Sequence, residues 1–400
     1  MEIIERPTYI DRVRPYIGKS LIKVLIGHRR VGKSYLLMQL QDIIRAEMPD
    51  VQIVYINKEQ HEYASIVNAE ALFQYLDRHV EEQKRVAIFI DEIQDIDGFE
   101  KVLRDLATRD RFDIYCTGSN ANLLSGELAT YLGGRYIEIK VHGLSYAEHL
   151  RFHQAEDTPV EFQRYLQFGG LPYLIHLPSD ATVVNGYLSG IYNSILLKDV
   201  VSRFGLRNVA FLENLAAFVA DNVGSLVSSK KISDYLKSQG IKISPQVVID
   251  YLSYLEASML ISKVKRSGIQ GKRIFEVGEK YFFDDLGVRN TIVGYKPGDV
   301  HKLLENVVYL HLKIAGYAVT VGQEDNMEID FIAQKGGEKM YIQVTYLLGS
   351  EQTIEREFGN LLAVKDNYPK YVLSMDGQNF SATYQGIRHQ QVREFCRDLI

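Results

Sequence analysis

The segment from residue 21 to residue 46 places the tightest limit on how this chain can fold. An apolar run, Leu21–Ile26, ends at Gly27, and from Ser34 onward apolar residues recur at helical spacing. The turn between them, residues 27–34, reads GHRRVGKS and fits the pattern GxxxxGK[ST]. A strand before this pattern and a helix after it are typical of a phosphate-binding loop, or P-loop.

The backbone N–H groups of such a loop face phosphate oxygens, and the helix that follows adds partial positive charge. We expect Lys33 to contact the β- and γ-phosphates of ATP, and the Ser34 hydroxyl to ligate Mg²⁺. The residues expected to bind ATP at this loop are Gly27, Arg30, Gly32, Lys33, Ser34 and Tyr35. The alternative is an incidental glycine-containing turn.

A second motif follows the nearly continuous apolar run Val86–Ile90, which predicts a strand buried on both faces. Asp91 and Glu92 come directly after it, in the arrangement called Walker B. Asp91 would hold Mg²⁺ through water, and Glu92 would polarise the water that attacks ATP. Without the P-loop, the same residues would be read as an acidic turn.

The first part of the chain alternates predicted strands with predicted helices. The expected strands are 21–26, 51–56, 86–90 and 112–117, and the expected helices are 34–46, 69–80 and 99–107. This alternation predicts an α/β fold with a parallel sheet whose ligands bind beyond the carboxyl ends of the strands.

The strand 112–117 is followed by Gly118, Ser119 and Asn120. A polar side chain at this strand end senses the γ-phosphate in additional-strand ATPases, which makes Thr117, Ser119 and Asn120 candidates. We favour Ser119 or Asn120 because they lie past the turn, and we include Asn120 in the ATP site. A plain turn is the alternative reading.

The segments GHRRVGKS, FIDEIQ, TGSNA, GGRYIEI, LSYAEHL and FGGLP occur in this order. With them the chain resembles a bacterial and archaeal family that pairs an AAA-type ATPase with a C-terminal domain of unknown function similar to PD-(D/E)XK nucleases. The resemblance covers nearly the whole chain. The P-loop and Asp-Glu motifs are common to NTPases, whereas the GGRY and GGLP segments are more specific.

The resemblance implies two further site residues. Arg135, in GGRY, would act on the γ-phosphate of its own or a neighbouring subunit; alternatively it is a surface arginine that closes a Gly-Gly turn. Pro172, in GGLP, would pack near the base or sugar of ATP, as in the lid of related signal-transduction ATPases. Alternatively, the glycines end one helix and Pro172 opens the next.

Residues 205–295 predict a winged helix, with helices at 208–223, 231–239 and 244–258, strands at 260–265 and 273–277, and a turn at Ser267-Gly268. The predicted recognition helix is poor in base-reading side chains: it offers Gln246 but also Asp250 and Glu256. We therefore expect a packing or coupling element with at most weak, non-specific DNA contact. The basic residues of the predicted wing are Lys263, Lys265, Arg266, Lys272 and Arg273.

In the last hundred residues, a glutamate on a predicted helix is followed by an aspartate on a predicted strand and a glutamine on the next strand. This order resembles that of PD-(D/E)XK nucleases. These residues are Glu305, Asp330 and Gln343, and they would hold Mg²⁺. Thr345 stands where such a site has its lysine, so we do not expect cleavage. A fold kept for binding DNA or protein is favoured, and Glu305 as an ordinary exposed carboxylate is a further alternative.

These segments predict three domains in 400 residues: an AAA/STAND-like P-loop NTPase core with a helical lid (1–204, lid 150–204), a winged helix (205–295) and a nuclease-like α/β domain (296–400). The net charge of −5 excludes a wholly basic nucleic-acid binder. Cys116 and Cys396 are too few for a disulfide framework. The absence of a signal peptide and of any long apolar stretch predicts a cytoplasmic protein without a membrane segment.

We therefore expect a Mg²⁺-dependent ATPase whose nucleotide state repositions the winged-helix and nuclease-like domains. One alternative is a nucleotide-gated binding switch with little turnover, and another is an ATP-driven DNA-processing nuclease. The expected partners are ATP and a further copy of the chain or a different protein.

Overall fold

A computed structural model describes residues 4–121, 132–238, 240–268, 278–324, 327–377 and 381–400. Over the described ranges, the chain forms two compact units. The first contains Met1–His142 together with Ala257–Met259, and the second contains Gly143–Glu256 and Leu260–Ile400. No helix within these ranges is both long and apolar enough to cross a bilayer.

The first unit alternates strands and helices in the order that the sequence predicts, and it adds a first helix and a last strand that were not predicted. Its elements are α1 (Pro7–Val13), β1 (Ile22–Ile26), α2 (Lys33–Glu47), β2 (Gln52–Asn57), α3 (Ala69–His79), β3 (Val86–Asp91), α4 (Phe99–Leu106), β4 (Phe112–Gly118) and β5 (Tyr136–Lys140).

These strands form a parallel sheet in the order β2-β3-β4-β1-β5. Every residue of β1, β3 and β4 is buried, because helices cover a parallel sheet on both faces. β4 lies between β1 and β3, so the carboxyl ends of these three strands are neighbours. The predicted α/β fold with a parallel sheet is confirmed.

The second unit contains mostly helices before residue 260 and a large sheet after it. Its helices are α5 (Tyr146–His153), α6 (Pro159–Phe168), α7 (Ala181–Ser194), α8 (Val209–Asp221), α9 (Ser229–Ser238), α10 (Pro245–Ala257), α11 (Leu286–Val293), α12 (Val300–Ile314), α13 (Glu351–Ala363) and α14 (Val392–Asp398). A π-helix, Ile195–Ser202, continues α7.

The strands of the second unit belong to two sheets. They are β6 (Ile261–Val264), β7 (Arg266–Gly268), β8 (Lys280–Phe283), β9 (Ala318–Glu324), β10 (Met327–Lys335), β11 (Glu338–Val344), β12 (Lys370–Ser374), β13 (Thr383–Tyr384) and β14 (Ile387–Gln391). β6 pairs with β8, and the other strands form a mixed sheet in the order β13-β14-β12-β11-β10-β9-β7.

The structure corrects the predicted wing. The turn expected at Ser267-Gly268 is part of β7, which pairs in parallel with β9, and the Ser267 hydroxyl lies 2.8 Å from that of Thr320. This pairing satisfies backbone groups that a turn would leave exposed. The described strand paired with β6 is β8; residues 273–277, with the predicted wing residues Lys272 and Arg273, lie outside the described residues.

The segment predicted as the lid, residues 150–204, belongs to the second unit. The reason lies in the GGLP segment: the Gly170 N–H donates to Asp285 Oδ2 at 2.9 Å, and the Gly170 carbonyl accepts from Leu144 N–H at 2.6 Å. A Cβ on Gly169 or on Gly287 would collide with Asp285 or with the Phe168 carbonyl, respectively. Close backbone packing of this kind binds the predicted lid to α11.

We predict that Gly287→Ala lowers the free energy of unfolding by about 3 kcal/mol, because the added methyl group overlaps the backbone carbonyl of Phe168. Gly190→Ala in α7 is the matched control: a Cβ there meets nothing within 4 Å, and the variant should be stabilised by about 0.5 kcal/mol. Urea unfolding of both variants measures the difference. Equal effects would show that the glycine contact is not what holds α11 to the preceding segment.

Candidate functional site

The carboxyl ends of four strands meet at one edge of the first unit's sheet. β1 leads into the P-loop, β2 ends at Asn57, β3 at Asp91 and β4 at Gly118. The Lys58 N–H donates to the Asp91 carbonyl at 3.2 Å, and the Gly27 N–H donates to the Gly118 carbonyl at 3.3 Å. Side chains that follow these strands therefore lie close together, as expected for a ligand site in a parallel sheet.

Backbone geometry shapes the P-loop for an anion. A Cβ on Gly27 would collide with the carbonyl oxygen of Val141, so the loop can follow its path only with glycine there. Gly32 has a φ of 96° and is the N-cap residue of α2. It has no side chain that could accept hydrogen bonds from the N–H groups of the first turn. Arg30 is exposed and has a φ of 130°, which is strained for a residue other than glycine. The uncapped helix start offers N–H donors to phosphate oxygens.

The side chain of Lys33 lies across the mouth of this loop and is 5% exposed. Its ammonium donates to the carbonyl oxygens of Gly27 at 2.8 Å and His28 at 3.1 Å. Nζ lies 3.6 Å from Oε1 of Glu92. The predicted P-loop lysine and the predicted catalytic glutamate therefore come together at the strand ends.

Glu92 is held in a left-handed conformation with a φ of 56°. Its N–H donates to Oγ1 of Thr117 at 2.9 Å, and Gln94 and Ser119 hydrogen-bond its carboxylate. Burial opposes the charged form of Glu92, but Lys33, Gln94, Arg29 and Ser119 together outweigh burial and hold the pKa of Glu92 below its usual value. Glu92 is therefore a charged, oriented acceptor at neutral pH.

Asp91 is 1% exposed and accepts hydrogen bonds from the hydroxyls of Thr117 and Ser34. Burial raises its pKa, and the two hydroxyls oppose that rise. The Ser34 hydroxyl and the Asp91 carboxylate are thus neighbours, as the two motifs predict. Hydroxyl and carboxylate oxygens are the donors that Mg²⁺ prefers, so this pair fits the ion that the sequence implies.

The sequence reasoning did not name Gln94 or Tyr55 as site residues. Gln94 belongs to the FIDEIQ segment and could have been found from it. The Tyr55 hydroxyl bonds Asp91 and accepts from Asn57 Nδ2 at 3.2 Å; burial and the Asp91 charge raise its pKa to about 12. No local pattern identifies Tyr55, because only the sheet order places β2 beside β3.

The predicted γ-phosphate sensors lie where the sequence places them, at the end of β4. Thr117 is fully buried and links Asp91 to the backbone of Glu92, whereas Ser119, 1% exposed, bonds the Glu92 side chain. Asn120 follows at the same edge and is half-buried. Tyr35, on α2, is 46% exposed. Contact of Asn120 or Tyr35 with ATP stays a prediction.

Arg6 is a buried residue that the sequence reasoning also missed. Its guanidinium donates to the carbonyl oxygens of Val31 at 2.8 Å and His142 at 3.1 Å, and it stacks over the ring of Tyr9 at 4.5 Å. Its backbone N–H donates to Oε1 of Gln39 at 3.2 Å. Arg6 thereby braces the P-loop from the segment that precedes α1.

Arg135 lies at the opposite edge of the same sheet. It is exposed and precedes β5, and its carbonyl accepts from Ile22 N–H at 2.9 Å, at the start of β1. β1 separates this edge from the P-loop by roughly 16 Å at ~3.3 Å per residue. Action of Arg135 on a phosphate at the P-loop of its own chain does not fit this placement, which leaves action on a neighbouring subunit or a turn-closing role.

Pro172 lies in the second unit, where it opens a short 3₁₀-helix, Pro172–His176, after the two glycines. This agrees with the alternative reading of the GGLP segment as a helix boundary. The position of Pro172 at the start of this helix does not test its predicted contact with the base or sugar of ATP, which stays a prediction.

The predicted nuclease-like residues gather in the second unit, but around a lysine. Nζ of Lys280 lies 3.0 Å from Glu305 Oε2, 3.0 Å from Glu328 Oε1 and 3.1 Å from Asp330 Oδ1. Gln343 Oε1 accepts from the Asp330 N–H at 3.4 Å. Lys280 and Glu328 were not predicted, because their positions depend on β8 and β10 packing against α12.

Burial sets the protonation of this cluster. It raises the pKa of Glu305, helped by the charge of Asp330 and opposed by the ammonium of Lys280, so Glu305 is not the ordinary exposed carboxylate that the sequence allowed. Burial alone would lower the pKa of Lys280, but the carboxylates around it raise that pKa above its usual value. Lys280 is therefore charged.

The strand order and the P-loop, Asp91 and Glu92 geometry define the class of the first unit: an AAA-type P-loop ATPase domain. The family model described as "AAA domain" matches residues 19–150. A second model, for a domain of unknown function (DUF8612), matches residues 160–299. That match covers the predicted winged helix and the predicted lid from residue 160 onward.

Two relatives match over most of the chain. An uncharacterized protein of Haemophilus influenzae is 38% identical over 378 residues, which is 93% of each chain. An uncharacterized protein of Methanocaldococcus jannaschii is 31% identical over 89% of this chain and 82% of its own. The chain therefore belongs to the family of these two proteins.

A solved structure supports the fold. The Walker-type ATPase of Pyrococcus abyssi superposes on 73% of this chain and 96% of its own with a TM-score of 0.50, at 16% sequence identity. At this identity the likeness concerns the fold alone.

We predict that Arg6→Ala lowers the free energy of unfolding by roughly 3 kcal/mol and weakens ATP binding, because it leaves two buried carbonyl groups without their donor. Arg14→Ala is the matched control: Arg14 pairs with Glu47 at the surface, and its loss should change the free energy by at most about 0.5 kcal/mol. Urea unfolding and titration with a fluorescent ATP analogue measure the two effects. Unchanged ATP affinity in folded Arg6→Ala would contradict a role in bracing the loop.

Proposed function

We propose that this protein is a Mg²⁺-dependent ATPase. The observation that carries the proposal is the meeting of two pairs at one sheet edge: Ser34 bonds Asp91, and Lys33 lies 3.6 Å from Glu92. Ser34 and Asp91 suit a Mg²⁺ ion bound to phosphate. Lys33, a phosphate-binding side chain, lies beside Glu92, which can act as a base.

Each residue has a separate task in this proposal. Lys33 exchanges the carbonyl oxygens of Gly27 and His28 for the β- and γ-phosphates of ATP. Ser34 and Asp91 would hold Mg²⁺, which would supply positive charge to neutralise the phosphates. Glu92, kept charged and fixed in orientation, accepts a hydrogen bond from the water that attacks the γ-phosphate in line.

We predict that Glu92→Gln binds ATP with nearly wild-type affinity but hydrolyses it at least about 100-fold more slowly, because the amide cannot accept a proton from water. Glu59→Gln, an exposed change on the same unit, is the control and should hydrolyse ATP at the wild-type rate. Phosphate release and equilibrium ATP binding give the two quantities. A Glu92→Gln rate equal to that of the wild type would remove Glu92 from the mechanism.

A second candidate function is a nucleotide-gated switch with little turnover. The position of Arg135 favours it, because this arginine lies at the sheet edge opposite to the P-loop. An isolated chain would then lack an arginine from GGRY at the γ-phosphate. Turnover would depend on a neighbouring subunit that brings its Arg135 to the site.

We predict that Arg135→Ala and Lys33→Ala are each inactive and that mixing them restores hydrolysis. A Lys33→Ala subunit would supply Arg135 to the intact P-loop of an Arg135→Ala neighbour. Phosphate release is measured for each variant and for equimolar mixtures over a range of protein concentrations. No recovery, together with a wild-type rate per chain that stays close to zero at every protein concentration, would favour the switch with little turnover.

We also propose that the nucleotide state is passed on to the second unit, whose three helices α8, α9 and α10 followed by paired strands support a winged-helix module. The chain leaves the first unit at His142, and Val141 lies against Gly27 of the P-loop. Arg6 donates to the carbonyl oxygens of both Val31, in the P-loop, and His142, the last residue of the first unit before Gly143. A movement of the P-loop would therefore be transmitted through Arg6 to His142.

A coupling role suits this module better than DNA reading. Lys263 of the predicted wing lies 3.4 Å from Glu279, and Gln246 donates to Asp250 at 2.9 Å. Two side chains that DNA would need are thus engaged within the protein. The exposed Lys265 is compatible with weak, non-specific contact with phosphates.

A further inference from the structure

The carboxylate cluster of the second unit has the ligand types of a divalent-cation site, but a side chain of the protein stands at its centre. The ammonium nitrogen of Lys280 lies within 3.0–3.1 Å of oxygens from Glu305, Glu328 and Asp330. Mg²⁺ would need these oxygens at about 2.0–2.1 Å from one point. The point on which they converge is filled by Nζ.

The backbone around Lys280 keeps the side chain in this place. Lys280 pairs with Val264 of β6, and the side chain of Asn306 clamps β8 by accepting from the Phe283 N–H and donating to the Phe283 carbonyl, both at 2.8 Å. Only 3% of the Lys280 side chain is exposed. Withdrawal of the ammonium would leave it buried without its three partners.

Two of the three carboxylates, those of Glu305 and Asp330, are also held on their outer sides. A Cβ on Gly224 would come within 2.9 Å of Glu305 Oε2, so the backbone after α8 closes over that carboxylate. The second oxygen of Asp330 accepts from the Val344 N–H at 2.9 Å. The cluster is therefore built from both sides around a cation about the size of an ammonium group.

We propose that Lys280 is the resident cation of this cluster, that it takes the place of a divalent ion, and that it fastens β8 to α12 and β10. The Mg²⁺ site that the order Glu305, Asp330, Gln343 suggests does not fit these residues while Lys280 is present. The cluster thus works as an internal ion-pair joint that connects the two-stranded β6–β8 sheet with α12 and with the large sheet of the second unit. This proposal stands apart from the ATP site.

Binding of Mn²⁺ to the full chain, without nucleotide, tests the proposal by electron paramagnetic resonance. Wild type and Asp330→Asn should bind Mn²⁺ equally weakly. Lys280→Ala should gain one site per chain, at least about 10-fold tighter than any in the wild type, and Lys280→Ala with Asp330→Asn should lose it. Lys302→Ala is the matched control, since Lys302 lies 3.7 Å from both Asp221 and Asp299 and its loss should create no site.

Two results would overturn the proposal. Mn²⁺ binding by the wild type that Asp330→Asn abolishes would show that Lys280 yields its place to a metal ion. A folded Lys280→Ala variant without an Asp330-dependent site would show that the carboxylates do not form a cation site. If Lys280→Ala does not fold, Lys280→Met, which keeps the apolar part of the side chain, is used in its place. The comparison of Mn²⁺ binding by the wild type and by Asp330→Asn tests the proposal independently of either variant.

Discussion

The nucleotide edge of this protein depends on one buried carboxylate, Asp91. A carboxylate at this depth is stable only if donors reach it, and Thr117 from β4 and Ser34 from α2 supply them. Asp91 can accept hydrogen bonds from both hydroxyls only if the carboxyl ends of β3 and β4 and the end of the P-loop lie side by side. The same hydroxyl of Thr117 orients Glu92 through its backbone N–H. The hydrogen bonds that stabilise the buried charge of Asp91 therefore also fix the positions of Ser34 and Glu92 in the site.

The second unit follows the same rule with different partners. Asp285 is buried and accepts backbone N–H groups from Gly170 and Val288, at 2.9 Å each, and this fixes the GGLP segment to α11. Lys280 is buried among three carboxylates and joins β8 to α12 and β10. In each case a charge that cannot remain unpaired determines which elements lie together.

Much of the first unit was predictable from local patterns. The period of the apolar residues located β1–β4 and α2–α4 to within one or two residues, whereas α1 and β5 were not predicted. Gly27, Lys33, Ser34, Asp91 and Glu92 were found from motifs whose spacing reflects phosphate geometry. The turn of the predicted wing, Ser267-Gly268, was placed wrongly, because the pairing of β7 with β9 joins segments that are distant in sequence. Such pairing leaves no periodic signal in either segment.

The sequence by itself determined the strand-to-helix alternation, the P-loop and the acidic end of β3, since each depends on residues that are close along the chain. Only the tertiary structure decided that Tyr55 and Arg6 support the site and that Arg135 lies at the far edge of the sheet. It also decided that Lys280 fills the carboxylate cluster. These facts follow from sheet order and from the pairing of buried charges, which join residues that are far apart in sequence.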